Sequence, residues 1–205
     1  MKKMFLLCIL ILSQAAFASD KFNMSFKDEE LTKVIETYSK KSGQKFVIDP
    51  SVRGKVTILI SDPVSKEEAF NHLSTALAVN GFAISTQGDA MVIRSARTLT
   101  RANIEVVSEL PAIEPERMIS WVYTAKHIPA ETINREIRML LSKDGEMGVV
   151  TDTNQILFSD WISTLHRVDQ ILKKIDQPVS AETQKIIQRA QQKNQEKKDK
   201  NKSKE

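Results

Sequence analysis

Cysteine is nearly absent from this sequence, which has one, Cys8, among its 205 residues. A single cysteine can form neither an internal disulfide nor a zinc site of several thiolates. Histidine is scarce too: His72, His127 and His166 are too far apart in sequence for two of them to share a helix face as metal ligands do. We therefore expect no metal centre and no cofactor.

Long apolar runs are also lacking. The longest one, residues 4–12, is well short of the about 20 residues that a bilayer-spanning helix needs. It follows two lysines and precedes a small-residue site that ends at Ala18, an order typical of a secretory signal peptide. We expect cleavage after Ala18 and export of the chain to the periplasm.

An excess of positive charge is missing from most of the chain. Residues 19–178 carry 20 basic and 22 acidic side chains, so the net charge of +4 comes from the two ends. Nucleic-acid binding needs a basic surface, and we expect no nucleic-acid partner. The basic tail, residues 178–205, is expected to be disordered, or helical only near residues 183–192. Two interpretations of the tail stay open. In the first it binds an anionic surface, which is lipid headgroups or cell-wall polymer. In the second it is only a solvated, solubilising segment.

Catalytic motifs are not recognisable either. The nearest candidates are Asp49 and Asp62 beside prolines, and Ser61 and Ser65 near His72. Aspartate before proline and serine before a helix are ordinary turn and cap residues. We therefore assign no catalytic residue and expect a protein that is not an enzyme.

The sequence does contain two successive α+β patterns. In the first, Phe22, Met24 and Phe26 alternate as in a strand, and Asp28 is expected to cap a helix that Gly43 ends. The apolar positions of this helix repeat at the helical period, at Leu31, Val34, Ile35 and Tyr38.

A second helix of the first pattern is predicted by its cap. Ser65 and Glu68 have the spacing of a capping box, and Asn80 stops the helix. A β-rich stretch, residues 56–60, precedes this helix, and a hairpin over residues 82–93 follows it.

The second pattern begins at Met118 and has the order strand, helix, strand, strand, helix. Pro129 marks the start of its first helix, and Asp160 is expected to cap its last one. Its two short strands lie at residues 147–151 and 155–158, so we expect a three-stranded sheet.

The predicted fold class is α+β with two small domains. Pro111 and Pro115 interrupt the segment between them, which is expected to be a linker with at most a short strand near residues 104–107. The predicted boundaries are a signal peptide at 1–18, a first domain at 19–96, a linker at 97–117, a second domain at 118–177 and a disordered basic tail at 178–205.

Short motifs in both patterns resemble one known family. They are Phe26-Lys27-Asp28, Phe46-Val47-Ile48-Asp49-Pro50, Gly54-Lys55-Val56-Thr57, Ala76-Leu77 with Gly81-Phe82, residues 124–130, and Val168-Asp169 with Asp176. With these motifs the chain resembles the amino-terminal periplasmic domains of the bacterial secretins, the outer-membrane channels of type II secretion and type IV pilus machines. The resemblance implies a first domain of two helices with small mixed sheets and a second, KH-like domain of β-α-β-β-α order.

The resemblance also implies a docking module. The implied partners are an inner-membrane coupling protein, the secretin or other secretion and pilus proteins, and neighbouring copies that form a ring through the second domain. We expect docking to use an exposed sheet edge. The candidate protein-binding residues are Val56, Thr57, Ile58, Leu59, Ile60, Met91, Val92 and Ile93.

One alternative function stays open. The first domain is also similar to the periplasmic signalling domain of TonB-dependent receptors, which contacts an inner-membrane regulator, although the second domain does not fit that class. A nucleic-acid-binding KH domain fits less well. Its clamp is a G-x-x-G loop, and in this chain Gly145 and Gly148 enclose the acidic Glu146 between a helix and a strand.

Secretins continue through further ring domains into a membrane β-barrel. The 27 residues after Pro178 contain no alternating apolar strands, so we expect this chain to lack the barrel. We also expect a monomer at micromolar concentration, which forms a ring only when it is tethered or docked on a secretin.

Overall fold

The computed structural model describes residues 21–101 and 104–202. The predicted signal peptide, residues 1–18, lies outside the described residues. The strands are β1 (Phe26–Glu30), β2 (Phe46–Ile48), β3 (Lys55–Ile58), β4 (Phe82–Gln87), β5 (Ala90–Ser95), β6 (Val106–Val107), β7 (Met118–Thr124), β8 (Glu146–Val150) and β9 (Gln155–Trp161). The helices are α1 (Leu31–Ser42), α2 (Lys66–Val79), α3 (Ala96–Leu99), α4 (Ala130–Ile137), α5 (Ile162–Ile175) and α6 (Ala181–Lys202).

The first half of the chain contains two small sheets and the helices α1 and α2. β1 and β3 pair antiparallel as one sheet, and the other is a mixed sheet in the order β2-β5-β4. Tyr38 lies at the centre of an aromatic cluster in this core, with ring centroids 5.9–6.0 Å from those of Phe22, Phe46 and Phe70. The predicted α+β class with small sheets is confirmed.

The ends of α1 and α2 depend on local sequence, with one exception. Gly43 follows α1 in the left-handed conformation, with a φ of 71°, and Ser65 and Glu68 form both hydrogen bonds of the capping box of α2. The predicted cap of α1 was wrong. Asp28 lies within β1, and Glu30 occupies the N-cap position. The reason is that Asp28 pairs with Lys55 of β3, a partner distant in sequence.

The second half contains a four-stranded sheet in the order β6-β7-β9-β8. The helices α4 and α5 share an apolar core with this sheet, and from β7 onward the order is strand, helix, strand, strand, helix, with short 3-10 helices after α4 and β8. The expected three-stranded sheet was wrong because β6, at the place in the linker where a short strand was expected, pairs parallel with β7. Alternation can indicate a strand but not the strand with which it pairs.

The start of α5 also differs from the prediction. β9 continues to Trp161, which is the N-cap residue of α5 and makes no side-chain cap. Asp160 is buried and accepts hydrogen bonds from the backbone N–H and the hydroxyl of Ser142 and from the N–H of Trp161. Asp160 is therefore not the predicted cap, because its carboxylate is bound to the turn before β8.

The two halves are in contact. They share an apolar cluster of Ala83, Ala96, Leu99, Met118 and Trp161, with Ala78 and Ile104 packed against it. Polar contacts surround this cluster: an Arg101–Glu146 ion pair at 2.9 Å, and a hydrogen bond of 2.9 Å from the Asn71 amide to the Glu114 carboxylate. Both apolar and polar contacts therefore link the first and second halves.

The basic tail contains helix α6, which includes residues 183–192, the part of the tail for which a helix was the alternative to disorder. Alanine, glutamate, glutamine and lysine make up most of this segment and are strong helix formers. Its described side chains, at residues 181–189, 192 and 193, are exposed. Among the helices that the structure describes, none has the length and apolar character needed to cross a bilayer.

Candidate protein-binding surface

β3 is an edge strand. β1 pairs with one side of it, and in the described residues no strand pairs with the other side. An unpaired edge presents backbone N–H and C=O groups that can bind an added strand. Its side chains alternate: Val56, Ile58 and Ile60 pack against the first core, whereas Lys55, Thr57 and Leu59 are exposed.

The end of β3 adds an apolar contact point. The strand ends at Ile58, two residues before the predicted end, and Leu59 follows it with 80% of its surface exposed. A large aliphatic side chain beside an open strand edge can anchor a partner that pairs with the edge. The surface formed by residues 55–60 is called the β3 edge below.

Asp28 determines how β3 lies against β1. The register between the two strands shifts between Phe26 and Glu29, where Asp28 has a φ of 51°. The N–H of Asp28 donates to Thr57 Oγ1 at 3.0 Å, and its carboxylate accepts a hydrogen bond from Lys55 Nζ at 2.7 Å. That hydrogen bond raises the pKa of Lys55. The irregularity in β1 thus supports the β3 edge from its paired side.

The other predicted edge does not exist. Met91, Val92 and Ile93 lie in β5, the central strand of its sheet, where β2 pairs on one side and β4 on the other. The expectation that these three residues form an exposed edge was wrong, because both of their backbone edges are already hydrogen-bonded. Val92 and Ile93 are also buried.

Sequence reasoning missed the remaining edges. In the part of the chain that the structure describes, β1, β2, β4, β6 and β8 each have one paired neighbour. Val150, at the end of β8, is 49% exposed. Alternation in the sequence predicted most of these strands but contains no information on their order, so nothing in it could have distinguished edge strands from central ones.

Asp176 fixes the passage from β7 to α4, one of the segments that carry the family resemblance. Its carboxylate accepts hydrogen bonds from the Tyr123 hydroxyl at 2.7 Å and from the N–H groups of Lys126, His127 and Ile128 at 2.8–3.1 Å. Burial by itself would raise the pKa of Asp176, but these donors outweigh it and the pKa is lowered. The carboxylate therefore organises the loop as a fixed anion.

Two of the residues weighed as catalytic candidates, Asp49 and Ser65, are engaged in local structure. Asp49 accepts hydrogen bonds from the N–H and the hydroxyl of Ser51 in a turn, which lowers the pKa of Asp49. Ser65 caps α2. Within the described ranges, no group of three or more His, Cys, Asp or Glu side chains could hold a metal ion.

These features define a class of protein: a small α+β protein with two sheet-containing halves and, among the described strands, open strand edges. A family model described as GspD-like, N0 domain, matches residues 24–93. Curated relatives include secretin XcpQ of Pseudomonas aeruginosa, which is 24% identical over 76% of this chain and 23% of the relative. Secretin GspD of Vibrio cholerae is 27% identical over 86% of this chain and 27% of the relative.

A solved structure shares the fold. It is the Klebsiella pneumoniae type II secretion system outer membrane complex of PulD, PulS and the PulC HR domain, and the match has a TM-score of 0.66 at 22% identity over 75% of this chain and 26% of that chain. The predicted resemblance is therefore confirmed: this chain is similar to the amino-terminal domains of type II secretins. It spans about a quarter of the length of the curated relatives it matches.

Proposed function

We propose that this chain is a periplasmic docking component of a secretin-based machine, of the type II secretion or type IV pilus class. It binds an inner-membrane coupling protein through the β3 edge. The observation that carries this proposal is the open side of β3 beside Leu59, which is 80% exposed. The partner is suggested by the Klebsiella complex of the same fold, which contains the PulC HR domain together with PulD.

The proposal assigns different tasks to the two halves. Residues 19–96 form the docking domain, and residues 118–177 form a KH-like domain that contacts neighbouring copies. The strand, helix, strand, strand, helix order from β7 to α5 supports the second assignment. Contacts between single copies are weak, so a ring forms only when copies are held together on a secretin.

The β3 edge is tested with one substitution and a matched control. Leu59→Asp places a carboxylate where a docked strand would cover it, and burying an unpaired charge is costly. We expect this variant to bind the periplasmic HR-type domain of the coupling protein from the same organism at least about tenfold more weakly, measured by titration calorimetry. Val79→Asp introduces the same charge at a 78% exposed position of α2, and its affinity should equal that of the unchanged protein.

Three outcomes would count against the proposal. The first is the absence of binding to the coupling domain at about 0.1 mM. The second is an equal loss of affinity in the Leu59 and Val79 variants, which would indicate that charge alone and not the β3 edge determines binding. The third is a change in transcription, with secretion and pili intact, when the gene is deleted. That result would favour the signalling function of the TonB-receptor type.

A further inference from the structure

Helix α6 has no role in the docking function proposed above. It contains 22 residues and is therefore about 33 Å long. All of its described side chains are exposed, at residues 181–189, 192 and 193. A helix that contributes nothing to a core needs another partner or is merely solvated, and its side chains distinguish these two cases.

Basic side chains are concentrated on α6. Lys185, Arg189 and Lys193 are exposed and follow one another at four-residue intervals, so they lie along one side of the helix about 6 Å apart. The helix contains seven basic and three acidic residues, whereas residues 19–178 have a net charge of −2. The complementary partner of this helix is therefore an anion.

One aliphatic side chain lies beside these cations. Ile186, which is 60% exposed, precedes Arg189 by three residues and Lys193 by seven, so it neighbours both on the helix surface. Ile187, which is 41% exposed, is about 160° from Arg189 around the helix axis and lies on the opposite side. Val179, just before the helix, is 38% exposed. Helices that lie on anionic membranes place aliphatic groups in the headgroup region while lysine and arginine stay at the surface. A soluble polyanion would bind the cations but leave these aliphatics in water.

We propose that α6 binds an anionic phospholipid surface. Ile186 enters the headgroup layer beside Arg189 and Lys193, and Lys185, Arg189 and Lys193 pair with the phosphate groups. Attraction of this kind is weak for each cation but adds up over several of them. The inference goes beyond the docking function, since it gives the chain a second attachment that would keep the docking domain near a membrane.

The test uses protein purified after export, so that the predicted signal peptide is absent. Binding is measured by co-sedimentation with vesicles of phosphatidylcholine and phosphatidylglycerol in equal parts, and with vesicles of phosphatidylcholine alone. We expect binding to the first and not to the second, and the binding should weaken as salt is added. The triple variant Lys185→Gln, Arg189→Gln, Lys193→Gln should lower the partition coefficient about a hundredfold.

Matched variants separate charge, position and apolar contact. Lys21→Gln, Lys27→Gln and Lys41→Gln remove three charges at exposed positions of the first half, and binding should stay within about threefold of the unchanged protein. Ile186→Ser should lower vesicle binding about tenfold. Ile187→Ser makes the same change on the opposite side of the helix and should change vesicle binding by less than about threefold. Both variants should leave retention on heparin, a soluble polyanion, unchanged.

The proposal is overturned if the protein fails to bind the anionic vesicles at low salt, or if it binds both kinds of vesicle equally. Retention on heparin without vesicle binding would also overturn it and would identify a polyanion as the ligand. Affinity for the coupling domain is measured on the same variants. Since none of them changes Leu59, failure of the lipid proposal and failure of the docking proposal give different results.

Discussion

At the scale of single residues, a buried carboxylate determines which glycines of the second half can be replaced. A Cβ atom on Gly145 would lie 2.2 Å from Asp160 Oδ2, whereas a Cβ on Gly148 would meet nothing within 4 Å. The Asp160 carboxylate cannot retreat easily, because it is held by Ser142 and Trp161. Burial raises the pKa of Asp160, although these donors oppose the shift.

The two glycines therefore give a matched pair of substitutions. We expect Gly145→Ala to lower the free energy of unfolding by about 3 kcal/mol, because the methyl group overlaps the carboxylate. Gly148→Ala lies in β8 and should raise that free energy by about 0.5 kcal/mol, since alanine has less conformational freedom to lose. Urea unfolding measures both. Equal effects of the two substitutions would contradict the close approach of Asp160 to Gly145.

Asp176 gives a prediction about pH. Its pKa is below the ordinary value of 3.8 in the folded protein, so its stabilising contribution is present above that value and is lost as the pH falls through the folded pKa. Asp176→Asn replaces one acceptor oxygen by an NH₂ group that faces N–H donors. We expect this substitution to lower the free energy of unfolding by about 3 kcal/mol at neutral pH.

The measurement is urea unfolding of both proteins over a series of pH values. The difference in stability between the unchanged protein and the variant should shrink as the pH falls below about 3.8, because protonation removes the same charge that the substitution removes. A difference that stays constant over the whole series would show that the charge of Asp176 does not support the loop.

At the scale of elements, the start of α2 is determined by its own sequence. Ser65 accepts a hydrogen bond from the N–H of Glu68, and the Glu68 carboxylate accepts one from the N–H of Ser65. These bonds lower the pKa of Glu68. The helix also carries Leu73 and Leu77 into the first core, so the cap supports core packing as well as the helix end.

Removing this cap should have a measurable effect. We expect Ser65→Ala to lower the free energy of unfolding by about 1 kcal/mol, because a helix N–H loses its acceptor. Ser61→Ala, at an exposed position four residues earlier, serves as the control and should change stability by less than about 0.5 kcal/mol. Thermal unfolding followed by circular dichroism compares them, and equal effects would mean that the capping box contributes nothing.

At the scale of the whole molecule, the contact between the two halves decides whether they behave as one unit. Leu99 lies in the shared cluster and is 1% exposed. Arg101 on one side and Glu146 on the other add an exposed ion pair, which contributes little in water. The apolar cluster is therefore the main source of coupling between the first and second halves.

Truncating a side chain of this cluster should uncouple the halves. We expect Leu99→Ala to lower the free energy of unfolding by about 3 kcal/mol, because it leaves a cavity. Both tryptophans lie in the second half. The unfolding transition seen by tryptophan fluorescence should therefore separate from the one seen by circular dichroism. Met139→Ala, at an 84% exposed position, should leave both transitions unchanged. Coincident transitions in the Leu99 variant would indicate that other contacts couple the halves.

The sequence by itself determined those features that depend on neighbouring residues. Gly43 and the Ser65–Glu68 pair marked helix ends, alternation marked the β4–β5 hairpin, and short motifs carried the family resemblance. Each depends on residues a few positions apart, and hydrogen-bonding rules over such distances hold in almost any fold.

The tertiary structure alone decided which strands have free edges and where aspartate carboxylates find their donors. β5 is central because β2, which is distant in sequence, pairs with the side of it opposite β4, whereas no described strand pairs with the outer side of β3. Asp28 and Asp160, both predicted as helix caps, bind Lys55 and Ser142 instead. Pairing order and long-range hydrogen bonds depend on how whole elements pack, and local periodicity contains no record of that packing.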